Sequence, residues 1–262
     1  MVDTCFCSPV AFVKTSKGYS SIFDVVKATA ITVAFFSEKI RYTGFFSKKP
    51  VERVYEISYV YYPLQLICIS DKVCYIVDTG YKIPSEYTVE VNGYHIVKSI
   101  GLIADLVILM YESRIERTPY TPVVINEEVY RDEFKRKLFD TMSDLTEYSV
   151  PKLKGEGLYM IPILVVRYRE IGRDRERTVL SPPVWLSEGA DPRYLFSTFN
   201  RLESIIDKMF RLYSDKWIEY SNKLFNIEDP VSIQNLKKGL KKLWEEGLLS
   251  EEYTRKYRQL YL

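Results

Sequence analysis

A chain of 262 residues that is 47% apolar and 27% charged can bury a sizeable core in one or two domains, which excludes a disordered polypeptide. Its net charge of +2 is too small to argue by itself for a nucleic-acid or anionic-surface partner. The N-terminus lacks a basic region followed by an apolar run. The most apolar stretch, 100–110, is broken by Gly101 and Asp105 and falls short of the roughly 20 residues that cross a bilayer. A cytoplasmic protein without membrane contact is therefore expected. The 22 tyrosines, the abundant charges and the near absence of glutamine (Gln65, Gln234, Gln259) match a hyperthermophile composition.

Residues 10–13 read as a short strand. Ser20 or Ser21 then caps a helix running to about Phe35, with Ile22, Val25, Val26, Ala30 and Val33 on one face. From Val54 the period becomes two, with Tyr55, Ile57, Tyr59 and Tyr61 on one side. Pro63 cannot donate to a ladder and marks an edge or a bulge. Strands at 64–69 and 73–77 form a hairpin, and Asn92-Gly93 joins a second one over 87–97. The apolar run 102–111 reads as a buried strand, with a short helix as the alternative. A linker is expected over 118–122, then a helix over 127–148 capped by Asn126. A third hairpin spans 159–168 and 177–180 around Gly172, and its aromatic–proline–aliphatic opening echoes the hairpin that begins at Tyr61, as a duplicated unit or as two strands that use proline alike.

The longest periodic stretch is 192–225, where Leu195, Phe199, Leu202, Ile206, Met209, Tyr213, Trp217, Tyr220 and Leu224 keep one helical face, with Asp191 as cap and Pro192 at the first position. After Asp229-Pro230 come two short helices. Gly247 ends the first in a left-handed cap, Ser250 caps the second, and Glu251 and Glu252 sit at its positive end. Leu240, Leu243, Leu249, Tyr253 and Leu260 form the apolar set of this miniature unit.

Leu240, Leu243, Gly247, Leu249, Ser250, Glu252, Tyr253, Lys256 and Leu260 match in register the pattern of the SHOCT family, which the stretch 238–261 resembles. Tyr253 stands where Phe is usual, and Tyr261 where a second Leu is common. The resemblance covers about 24 of the 262 residues and implies a helical module for oligomerisation or partner contacts, without catalysis. So short a helix pair buries too little to stand alone and must dock on this chain or on another copy.

Chemistry is sparse. Asp78-Thr79-Gly80 at the end of an aliphatic strand has the form of the aspartic-protease signature, whose carboxylate shares a proton with a second one. It occurs once and is followed by Tyr81 in place of a small residue, so it reads as a strand-ending turn. His95, the single histidine, has no motif-placed Ser or Cys partner and reads as structural. Cys5, Cys7, Cys68 and Cys74 leave three readings open: buried thiols, a disulfide, or a four-thiolate zinc site. Arg167, Arg169, Arg173, Arg175 and Arg177 are all odd-numbered, so a continuous strand projects them on one side as a ribbon for phosphates, with Glu170, Asp174 and Glu176 interleaved. Lys237, Lys238, Lys241 and Lys242 make a second basic patch.

These readings converge on an α+β protein. A mainly antiparallel β-domain with one or two helices occupies 1–118, a helix and the basic hairpin 119–191, and a helical region 192–262. The expected function is that of a non-enzymatic assembly or scaffold protein that self-associates or takes a protein partner through its C-terminal helices. The alternative is nucleic-acid binding by the arginine hairpin. No cofactor, catalytic residue or metal site is expected.

Overall fold

The computed structural model describes residues 5–44, 49–70, 73–91, 93–111, 114–115, 157–189, 195–217 and 221–261. The expected linker at 118–122, the helix over 127–148 with its Asn126 cap, and the cap pair Asp191 and Pro192 lie outside these residues.

In chain order, β1 (Cys5–Cys7), β2 (Ala11–Thr15) and β3 (Gly18–Ile22) precede helix α1 (Val25–Ser37). The two-residue strands β4 (Tyr42–Thr43) and β5 (Lys49–Pro50) lead into the long β6 (Glu52–Ser70). Then come β7 (Val73–Asp78), β8 (Thr88–Val91), β9 (Tyr94–Val97), helix α2 (Ile100–Tyr111) and β10 (Arg114–Ile115). The second half holds β11 (Gly157–Glu170), β12 (Glu176–Ser181), β13 (Val184–Ser187), β14 (Phe196–Thr198), α3 (Asn200–Trp217), β15 (Asn222–Asn226), α4 (Pro230–Glu245) and α5 (Glu251–Tyr261). The class is α+β, and none of the described helices is long and apolar enough to cross a membrane.

The chain divides into two compact units, each assembled from three separate segments rather than from consecutive stretches cut near 118 and 191. The first comprises Met1–Ser8, Tyr61–Pro162 and Asn200–Trp217. Within it, β7 pairs antiparallel with β6 and β9, and β8 closes the hairpin with β9. Pro63 stands one residue outside the β6–β7 ladder, which starts at Leu64↔Asp78. β1 runs parallel to β11, where Phe6 stacks on Tyr159 with centroids 4.6 Å apart. Residues 100–111 form a helix, not the strand expected. Leu102, Ile103, Leu106, Leu109 and Met110 are buried at three- and four-residue steps, a pattern that a short apolar run carries ambiguously. Asp105 of α2 is pushed up by burial while it accepts backbone N–H groups of Leu202 and Arg201 at the start of α3.

The second unit comprises Pro9–Val60, Ile163–Phe199 and Ile218–Leu262. Its sheet runs β14–β13–β2–β3, with β13 parallel to β2 and the other pairs antiparallel. Ser20 and Ser21 lie in β3 and pair with Val13 and Phe12. The helix therefore starts later than expected, at Asp24, whose carboxylate accepts Val26 N–H at 2.9 Å and Lys27 N–H at 3.3 Å. Every residue of α1 from Ala28 to Ser37 is buried. A helix apolar all round must be covered on all sides. Ala11, Val184 and Leu186 of the sheet, Leu224 and Phe225 of β15, and Leu236, Leu240 and Leu243 of α4 join it in one core.

Of the helix expected over 192–225, the described residues show the 18 of α3 as helical. Phe196–Thr198 pairs with β13 instead, and Asn222–Asn226 with the first half of β6. Leu224 and Phe225 are adjacent and both buried, which sheet packing achieves and a one-sided helix does not. The tail follows its caps. Asp229 accepts from Val231 N–H and Ser232 N–H with Pro230 at the first position, Gly247 has φ +71°, and Leu248 N–H donates to Leu243 O at 2.9 Å.

α1 and α4 cross at Gly239. A Cβ there would lie 2.1 Å from Val26 O and 2.7 Å from Ala30 Cβ, so only glycine permits the approach. Gly239→Ala is expected to cost about 3 kcal/mol through overpacking, read as a lowered denaturation midpoint; a neutral substitution would show that the helices are not locked at this point.

Candidate functional site

Three places carry the polar side chains singled out in the sequence. The first is the arginine hairpin. Its ladder pairs Arg167↔Thr178, Tyr168↔Arg177 and Arg169↔Glu176, so parity flips across the turn. Arg177 shares a face with Tyr168, over whose ring its guanidinium lies at 4.0 Å, while Arg167 and Arg169 point to the other face. The five arginines thus do not form one ribbon. Four have carboxylate partners: Arg169 meets Glu176 at 2.7 Å and Glu228 at 3.0 Å, Arg177 meets Glu52 at 2.5 Å, Arg167 meets Glu56 at 3.7 Å, and Arg173 meets Glu170 at the longer 4.0 Å. Arg169 also stacks on Tyr55, 3.3 Å from its centroid. Arg173, 70% exposed and 4.0 Å from Glu170, and Arg175, also exposed, remain at the tip.

Glu52 is the centre of this network and was not read from the sequence, where it appears only as a charge ahead of the apolar alternation at Val54. Its side chain is 1% exposed. Arg177 donates to both carboxylate oxygens, at 2.5 Å and 3.4 Å, and Arg41 donates its backbone N–H at 3.0 Å and its Nε–H at 2.9 Å. Burial alone would raise this carboxyl, but the hydrogen bonds from Arg177 and Arg41 outweigh it and hold it below its ordinary value. Two guanidinium groups share the one carboxylate.

The second place is the tail. Leu240 and Leu243 are 0% exposed and Leu249 is 2%, in the same core as α1. Tyr253 and Leu260 are half-buried against that core. Burying such a leucine is worth about 2 kcal/mol, and here the gain is realised within the chain. Polar contacts repeat the message. Tyr257 Oη donates to Glu38 Oε1 at 2.6 Å, and Lys256 Nζ reaches the same carboxylate at 2.7 Å. Tyr261 places its hydroxyl 2.8 Å from Ser37 Oγ and accepts Val54 N–H at 3.4 Å. The outward side of α4 carries exposed Lys237, Lys238 and Lys241, and Trp244 at 46% exposure.

The third place is the Asp78 corner of the first unit. Asp78 is fully buried, and its two oxygens accept from Tyr62 Oη and from Ile83 N–H at 2.9 Å. Burial pushes this carboxyl up, against the pull of those hydrogen bonds, and burial beside Asp78 pushes the Tyr62 hydroxyl well up. Tyr62 Oη in turn accepts Lys82 N–H at 2.9 Å, and Thr79 Oγ1 donates to Pro63 O at 2.8 Å. The carboxylate that the protease signature would need facing a partner is spent on fixing the 79–83 turn. His95 lies opposite Asp78 in the ladder, under the Tyr81 ring at 4.8 Å, with its Nδ1 buried. On the strand pair next to it, Cys68 and Cys74 form a disulfide, which settles the cysteine alternatives for this pair and removes two ligands from a four-thiolate site. Cys7 is buried.

Because the folded-state Glu52 is more acidic than its ordinary value of 4.5, its contribution to stability is present above that value and is lost as pH falls through the lowered one. Glu52→Gln is expected to cost about 3 kcal/mol at neutral pH and to flatten the acid limb of a pH–stability curve; an unchanged limb would show that Glu52 is not the group responsible. Comparisons of the chain with protein-family models, with characterised proteins and with solved structures return no match.

Proposed function

We propose that the chain is a non-enzymatic assembly protein that pairs with a second copy of itself through the outward side of α4. The observation that carries this reading is Trp244, 46% exposed on a helix whose other side is anchored in the core. A large aromatic held rigidly at the surface loses little entropy on binding and is the residue type that dominates interfaces. The helix is also charge-complementary to itself. Lys237 and Lys238 stand on one side of Trp244 along the helix, Glu245 and Glu246 on the other. Two copies laid antiparallel about a two-fold axis near Lys241, about one turn before Trp244, set the basic stretch of each against the acidic end of its mate, where Glu245 also meets Lys241 and Glu246 meets Lys27 of its own chain. The likeness of 238–261 to SHOCT modules agrees with an assembly role, although Leu240, Leu243 and Leu249 are spent on the chain's own core.

Light scattering after size exclusion on the full chain tests this reading. A dimer is expected, converted by Trp244→Glu to a monomer that still melts cooperatively, since the residue is half exposed. Charge reversal at Lys237 and Lys238 is expected to weaken the dimer and Glu245→Lys to restore it. A monomeric full chain at all concentrations overturns the reading.

A further inference from the structure

We infer that the edge formed by Tyr42, Lys49, Ile171, Arg173 and Arg175 is a docking surface for a single nucleic-acid strand. Main-chain bonds bring these distant positions together: Val51 N–H donates to Arg41 O at 3.0 Å and Ile171 N–H to Val51 O at 2.9 Å, while β4 pairs with β5. The tip of the β11–β12 hairpin is thereby fastened beside the β4–β5 strap. The edge is wet, cationic and partly apolar at once. Tyr42 is 43% exposed, Ile171 54%, and the Arg173 side chain 70%, with Lys49 and Arg175 also exposed. Behind it, Arg41 and Arg177 share Glu52 while Arg41 and Arg173 share Glu170, so three guanidinium groups face two carboxylates and the cluster keeps a residual positive charge. Arg41 is 54% exposed and brings this charge to the surface. The carboxylates at the tip, Glu170 and Asp174, are fewer than the cations around them, and Glu170 is divided between Arg41 and Arg173.

A nucleic-acid strand uses both parts of this surface. Guanidinium forks match phosphate oxygens, and an exposed tyrosine ring offers a stacking platform that every base fits. A duplex would engage the cations without using the ring. Arg167, Arg169 and Arg177, a third exposed or less and paired with carboxylates, are excluded from direct phosphate contact, whereas Arg173 meets Glu170 at 4.0 Å with its side chain 70% exposed. This narrows the basic hairpin to its tip and adds Tyr42 and Lys49, which lie over 120 residues away in the chain.

The experiment is fluorescence anisotropy of the full chain with a labelled single strand of about 20 nucleotides, across a salt series. Salt-dependent binding is expected. Arg173→Ala with Arg175→Ala should weaken it about tenfold and lower the salt slope by about two, and Tyr42→Ala should weaken it about tenfold with the slope unchanged. Lys17→Glu, a charge change equal to that of the double tip variant but at the exposed β2–β3 turn, should leave it nearly unchanged. All four substitutions are at exposed positions, and unchanged melting curves confirm folding. Absence of binding at low salt, equal losses from Lys17→Glu and the tip variants, or insensitivity to Tyr42→Ala overturns the assignment. So does an acidic peptide that binds more tightly than the strand, which would place an acidic protein on this edge instead.

Discussion

The constraint on which the second unit depends is the burial of α1. A helix with Ala28 to Ser37 all out of water has no face to give to solvent, so its stability is that of its covering. The covering comes from both directions of the chain. The sheet built on β2 and β13 packs against it, and α4 lies so close at Gly239 that no Cβ fits. Both ends of α1 are tied to the tail. Asp24 at its start meets Lys242 at 2.7 Å, and Ser37 and Glu38 at its end meet Tyr261, Tyr257 and Lys256. The C-terminal helical hairpin acts in cis, as the outer layer of a core begun some 200 residues earlier. Folding must close that long loop before the helix is covered, which predicts slow folding for this unit.

Charge in this protein does two kinds of work. On the body of the hairpin, arginines and carboxylates neutralise one another across β6, β11, β12 and β15, and the central carboxylate is almost wholly buried. Such networks gain value at high temperature, where the desolvation of ions costs less, in line with the charged, tyrosine-rich composition. At the hairpin tip and along the outer side of α4 the balance is looser, and apolar side chains stand beside the cations. Those surfaces do not serve the core, and the proposed contacts with other molecules are placed there.

The sequence was most legible where local rules decide. Asp229, Pro230, Gly247 and Ser250 mark the ends of α4 and α5 correctly because caps act over three or four residues. The three hairpins also follow from alternation and turn residues. It was least legible where pairing reaches across the chain. Ser20 and Ser21 look like helix caps until β3 pairs with β2, and Phe196 and Leu224 look like extensions of α3 until their backbones join sheets. Residues 102–111 have no polar face to reveal their period. The parity of the arginines misled because the register Arg169↔Glu176 pairs odd-numbered positions with even-numbered ones across the turn, so Arg177 falls on the face opposite Arg167 and Arg169. Glu52 could not be found at all without knowing that Arg41 and Arg177 converge on it. The assembly of each unit from three separated segments rests on contacts of this long-range kind.

The most direct test is to compare the full chain with one ending at Asp229 by thermal melting and by amide hydrogen exchange of α1. The account predicts that the full chain protects the amides of residues 28–37 most strongly, and that the truncated chain loses both that protection and its cooperative melt. A truncated chain that melts cooperatively near the full-length temperature with α1 still protected would contradict it, because the tail would then be an appendage and not the cover of the core.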